Sequence, residues 1–458
     1  MTPLQGKYLE GPGKYLLILC FVAMLGFLNA SPSQSSILFF IVGPVAFLIL
    51  LIRPILGLYI TVFITPLYSP KVGVGFANMS FHQMIILVTV TIATTMILIR
   101  RHGPIKNEVN LPLSLFIISA IISTVNSPDL GYSIKWFLFL GVFFSSYLLT
   151  LIVIHEIQQL NMILILLVLS CFFLCSIALF SYLQSPNGGR LSAGLVLDNP
   201  NSLGNYLSLI LPFLLALLFH WRAHPYLRML SWVGIFLMFF LLLQTYSRSS
   251  WLGTTLGCAC VFSLHKVRSA ILFIAALICL AIFMPDITQR ATHIDASVMY
   301  RLEKIQYATK LLQRNYVLGN GLGSFQKFAE QSSFRFMQTH SSLENMYALI
   351  LVEQGILGLS ALILLSFIFV YSTIRRLKRS TIPMLRGIIL GSLGSYIAML
   401  GCGFGEAILQ FPKYNYFIGI ILALPVIAAR LETQLLEHLS IDFPDTLDGN
   451  LPPSPAQD

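Results

Sequence analysis

Runs of about twenty apolar residues recur along almost the whole chain, and they dictate its class. A helix needs roughly 20 such residues to cross the hydrocarbon core of a bilayer. In lipid, every backbone N–H and C=O must be paired within the protein, which helices achieve by themselves. Candidate spans cover 14–30, 36–52, 54–68, 81–99, 111–126, 134–154 and 161–183. The series continues at 202–219, 229–246, 249–265, 269–285, 343–372, 383–402 and 414–430. That makes about fourteen helices, or about twelve if the two short runs beside Arg53 form one broken hairpin. Only 10% of the 458 residues are charged, against roughly 25% in a soluble domain. The expected fold is an all-α polytopic membrane protein.

The formal net charge of +10 does not point to nucleic acid, because no dense basic run with interleaved aromatics occurs. Lys and Arg instead punctuate the apolar runs. Lys7, Lys14, Arg53, Arg100, Arg101, Lys106, Arg222, Arg228, Lys266, Arg268, Arg375, Arg376, Lys378, Arg379 and Arg430 fall in alternate connections. The positive-inside rule puts those connections and both termini in the cytoplasm. The seven cysteines lie inside or at the edge of apolar segments, which implies neither a disulfide framework nor a metal site.

This orientation gathers three polar stretches on the outer face: 184–201, the TYSRSS turn around Arg248, and 286–341. A polar connection as long as the third is usually functional. Its middle has apolar residues at three- and four-residue spacing (Val298, Leu302, Ile305, Ala308, Leu311, Leu312), which predicts an amphipathic helix against the membrane domain. The chain thus divides into N-terminal helices (1–183), a functional region (184–372) that includes the loop 286–341, C-terminal helices (373–430), and an acidic cytoplasmic tail (431–458), read as disordered.

Ionisable residues in so apolar a protein mark the chemistry. Arg190 precedes the helix start NPNSLGNYL, where Asn199 and Asn201 are placed to cap backbone N–H groups. Arg248 stands at the lip of a helix hairpin. Two guanidiniums on the outer rim beside helix N-termini suit a diphosphate, which Arg binds bidentately and a helix start attracts. His340 and Glu344 flank the start of the next helix, and a histidine that titrates near neutrality suits a general base. Glu353 lies deeper on that helix and calls for a partner. No metal-ligand cluster is spaced for a divalent ion, so the arginines must stabilise charge themselves.

Four blocks in order, RLSAGLVLDNPNSLGNYL, TYSRSSWLGTTLG, SVMYRLEKIQYATKLLQRNYVLGNGLGSF and LENMYALILVEQGILGL, resemble the O-antigen ligase and polymerase superfamily over roughly residues 190–370. The resemblance implies a GT-C-like bacterial inner-membrane glycosyltransferase with its active site in a periplasmic loop. It implies transfer of a glycan from undecaprenyl pyrophosphate to an acceptor hydroxyl, inverting and without metal or other cofactor. The acceptor would be another lipid-linked glycan in a polymerase, or lipid A-core in a ligase. By position, Arg190 and Arg248 match the family's pyrophosphate arginines and Arg301 a further basic position, with Asn199, Asn201 and Asn345 beside them. In ligases a histidine directly precedes the Asn of this last block. Here Glu344 precedes Asn345 and His340 stands four residues upstream, so the base is His340 or Glu344 and the balance leans to polymerase. The rival from another class is an anion transporter, which Glu353 and Glu406 keep open.

Overall fold

The computed structural model describes residues 53–64, 71–74, 77–80, 88, 91, 106–184, 190–193, 197, 199–220, 225–266, 271, 296–332 and 341–442. Within them lie α1 (Ile55–Ile64), a hairpin of β1 (Lys71–Val74) and β2 (Ala77–Ser80), α2 (Asn110–Val125), α3 (Leu130–Val153) and α4 (Ile157–Gln184). Next come α5 (Pro200–His220), α6 (Pro225–Gln244) and α7 (Arg248–His265). The polar stretch carries α8 (Ala296–Leu312) and α9 (Ser324–Glu330), and α10 (Met346–Arg379), α11 (Pro383–Cys402) and α12 (Pro412–Asp442) follow it. Among the described residues, α3, α4, α5, α10, α11 and the Lys413–Glu437 part of α12 are long and apolar enough to cross a bilayer. The protein is a multi-pass, all-α membrane protein.

Three expectations need amendment. The small antiparallel hairpin, with Lys71 opposite Ser80 and Val74 opposite Ala77, was not anticipated among the helices. The last helix does not stop at 430. Leu431 and Glu432 are buried, and the Glu432 carboxylate accepts the backbone N–H of Ile382 at 3.0 Å, so the helix runs on to Asp442. The run 343–372 is not one continuous helix, as described below. Runs 14–30 and 36–52, most of 81–99 and 269–285, the loop ends 286–295 and 333–340 (with His340), and the tail beyond 442 lie outside the described residues.

At the centre stands α5, whose side chains are buried continuously from Ser202 to Leu218. It packs on α11 and α7, while α12 packs on α3 and α11. The α7–α11 crossing is close because glycines line it. A Cβ at Gly253 would sit 2.2 Å from Cys402 Sγ, and one at Gly257 would sit 2.6 Å from the Gly394 carbonyl oxygen. Small residues let membrane helices approach this nearly, and van der Waals contact then replaces the hydrophobic drive that lipid does not supply.

Inside α10 the helix breaks at Gly355, whose backbone is left-handed (φ 68°, ψ −168°). The break frees backbone groups inside a helix long and apolar enough to cross a bilayer, where each must be paired. A glycine-rich turn provides the partners. The N–H groups of Asn320 and Gly321 donate to the carbonyls of Val352 (3.0 Å) and Glu353 (3.1 Å), and Ile356 N–H donates to Tyr316 O at 2.9 Å. From α2, Ser123 Oγ also donates to the Glu353 carbonyl. The buried Glu353 carboxyl faces the backbone N–H groups of Gly323 and Phe325 in the same turn, with Oε1 left without a hydrogen-bond partner and no ion pair among the described residues.

α8 is the expected amphipathic helix, though with a shifted face. Ala308 and Leu311 are buried against α10, but Leu302 is 49% exposed while Lys304 is 2% exposed. Lys304 turns inward because Nζ donates to Ser342 O at 3.0 Å and lies 3.5 Å from Glu344. An apolar-spacing rule has no way to anticipate a buried ammonium.

Alanine at Gly355 would place a Cβ 2.1 Å from the Val317 carbonyl oxygen, on a φ that L side chains rarely adopt. The expected outcome for Gly355→Ala is a loss of about 2–3 kcal/mol in unfolding free energy. Gly141→Ala, which meets nothing within 4 Å, should be neutral or slightly stabilising. Denaturant unfolding of both variants in detergent checks the contrast.

Candidate active site

Four helices, α5, α7, α10 and α12, begin at one end of the bundle, and each start is set by local chemistry. The Asn199 Oδ1 accepts the Asn201 N–H at 2.8 Å, with Pro200 in the first helical position, where a missing N–H costs nothing. Asn345 caps α10 by accepting the Ala348 N–H at 2.9 Å, and its Nδ2 donates to Phe404 O at 3.0 Å. α7 starts after a sharp turn in which Tyr246 takes a left-handed φ of 50°, and Arg248 is its first residue. The partial positive charge of these starts therefore gathers at one place.

The charged side chains meet there too. Arg190 Nε donates to Thr245 O at 3.1 Å and Nη2 donates to Asn201 Oδ1. Asn201 Nδ2 in turn donates to Glu406 Oε1 at 2.7 Å, so one amide joins an arginine to a carboxylate. Glu406 lies in the turn between α11 and α12. Gly405, beside it, is so close to α7 that a Cβ there would be 2.8 Å from Ser249 Cβ and 3.5 Å from Arg301 Nη1. Arg301 Nε donates to Glu344 Oε2 at 2.7 Å, and Lys304 approaches Glu344 Oε1. From the start of α12, Lys413 Nζ donates to Ser202 Oγ at 2.5 Å.

Electrostatics divides the two acids. Glu344 is half-buried between two cations, whereas Glu406 is 9% exposed and has no ion pair among the described residues. Burial, and then the negative charge of Glu344, pushes the Glu406 carboxyl up to about 6; Arg301, the Asn201 bond and Lys413 pull the other way. Lys304 is shifted below the usual lysine range, first by burial, with Glu344 opposing.

Residues 233–363 match the family model described as O-antigen ligase. The match supports the O-antigen ligase and polymerase superfamily over that segment. No curated protein matches the chain. At the level of the family, the match to residues 233–363 supports an O-antigen ligase- or polymerase-type glycosyltransferase. The matched segment holds Arg248, Arg301, Glu344 and Asn345, while Arg190, Asn199, Asn201 and Glu406 lie outside it and join by tertiary contact.

Of the residues singled out in the sequence, Arg190, Asn201, Arg301 and Glu344 stand in this connected cluster, with Arg248 at the adjoining start of α7. Asn199 and Asn345 serve as helix caps, and His340 is outside the described residues. Lys304, inside the predicted amphipathic helix, escaped the sequence reading, and Glu406 entered it only as a feature that keeps the transporter alternative open. The signal for Glu406 was available, because it sits in a glycine-bearing turn on the same side as Arg190.

Removing Glu344 leaves a buried ammonium without its carboxylate. Glu344→Ala is expected to lose about 2–4 kcal/mol of stability, and Lys304→Met added to Glu344→Gln should recover most of it. Thermal unfolding of the purified variants in detergent measures both.

Proposed function

We propose that this protein transfers a glycan from undecaprenyl pyrophosphate to an acceptor hydroxyl on the periplasmic face, with inversion and without a metal. The observation that carries the reading is Arg190, anchored on Thr245 and Asn201 at the bundle end where four helices begin and Arg248 opens α7. Guanidiniums at helix starts match the charge and fork geometry of a diphosphate. The charge that builds on the leaving group falls on Arg190 and Arg248, with Arg301 held in reach by Glu344. The prenyl tail lies in a groove open to lipid between helices, and the segment around α8 covers the sugars.

The acceptor follows the balance of the sequence. Glu344, in the place where ligases carry histidine, favours a polymerase that extends one lipid-linked glycan with another; transfer to lipid A-core is the alternative. The break in α10 does not favour anion transport, because the turn 315–323 fills it with backbone partners.

Purified protein in detergent and EDTA, given undecaprenyl-pyrophosphate oligosaccharide alone, is expected to yield a ladder of extended products. A single shifted product formed only when lipid A-core is added would identify a ligase instead. Arg190→Ala and Arg248→Ala should each lower transfer by about 10²–10³-fold without loss of fold. Full activity in both would remove the diphosphate clamp.

A further inference from the structure

Of the two candidate bases named from the sequence, His340 lies outside the described residues. Glu344 has Arg301 on one oxygen and Lys304 on the other, which disfavours its taking the acceptor proton. Glu406 differs on each count. It is buried at the meeting point of the helix starts, and no cation lies within ion-pair distance among the described residues. Its Oε1 accepts from Asn201 Nδ2 at 2.7 Å, which leaves Oε2 to face an acceptor. A buried carboxylate without a counter-ion is costly to keep and marks functional sites. Through Asn201 it is one amide away from Arg190, so a base and a leaving-group clamp share one rigid connection.

Resting on the transferase reading, we propose that Glu406 is the catalytic base, taking the acceptor hydroxyl proton on Oε2 while Asn201 holds Oε1. The acceptor O–H bond breaks and its proton passes to the carboxylate. The acceptor oxygen bonds to the anomeric carbon as the bond from that carbon to the diphosphate oxygen breaks. The electron pair leaves with the diphosphate, whose added charge Arg190 and Arg248 receive, and the proton on Glu406 then passes to water.

The groups that face Glu406 are Glu344 before α10, Arg301 and Lys304 on α8, Lys413 and Tyr414 on α12, and Cys402 at the end of α11. With its carboxyl near 6, Glu406 is ionised at neutral pH and loses the base form as pH falls through that value. Activity should fall with it.

The test compares wild type, Glu406→Gln and Glu344→Gln, full-length in detergent with EDTA, using undecaprenyl-pyrophosphate oligosaccharide from about pH 5 to 8. Glutamine keeps an oxygen for Asn201 Nδ2 and removes only the basicity. Wild-type kcat is expected to drop about tenfold per pH unit below about 6. Glu406→Gln should lose about 10²–10⁴-fold in kcat with donor KM within about threefold, and should lack the acid limb. Glu344→Gln should keep the limb whatever its rate. Glu406→Gln with wild-type kcat and an unchanged limb would overturn the proposal, as would a loss confined to donor KM. Wild type inactive towards the donor, alone and with lipid A-core, would overturn the transferase reading itself.

Discussion

A helix that breaks inside a bilayer must find partners for the backbone groups it releases, and α10 finds them in the turn 315–323. Much of the polar region depends on this pairing. The turn follows directly from α8, so seating it against Val352 and Glu353 also seats α8 on α10. Lys304 and Arg301 then reach Glu344, which stands just before the same helix. The long polar segment is thus built into the membrane domain as a structural part. Its glycines are there because backbones touch: a Cβ on Gly319 would lie 2.1 Å from the Glu353 carbonyl oxygen.

Charge is arranged asymmetrically between the two ends of the bundle. At the end away from the site, Arg430 donates to the carbonyls of Leu151 in α3 and of Ile154 just after it, Arg376 pairs with Glu108, and Glu432 receives the N–H groups that open α11. Each of these charges has a local structural partner. At the site end Glu344 is doubly compensated and Glu406 is not, while Asn201 presents its oxygen to a cation and its amide nitrogen to an anion. That polarity fixes the orientation of the Asn201 amide and couples the two charges across it.

The helical class and most helix positions were legible because lipid imposes a length and an apolar composition on every span. The run 383–402 corresponds residue for residue to α11. Arg190, Arg248 and Glu344 stood out for a related reason, since an ionisable group beside a membrane helix is expensive, whereas Arg301 was named only through the family resemblance. The inward turn of Lys304, the break at Gly355 and the extension of α12 past Arg430 were not legible. Each depends on a partner distant in the chain: Glu344 for the lysine, Asn320 and Gly321 for the break, and Ile382 for the Glu432 cap.

By itself the sequence determined a bundle of membrane helices and the identity of several charged residues at its polar connections, since hydropathy and spacing are local quantities. The tertiary structure alone decided which of those charges meet. Glu406 lies more than two hundred residues from Asn201, and only the packing of α5 against α11, with the contacts of Lys413 and Tyr414 on Ser202, brings their side chains to 2.7 Å. Burial and counter-ions, which separate a clamped carboxylate from an unpaired one, are properties of that packing and of no single stretch of chain.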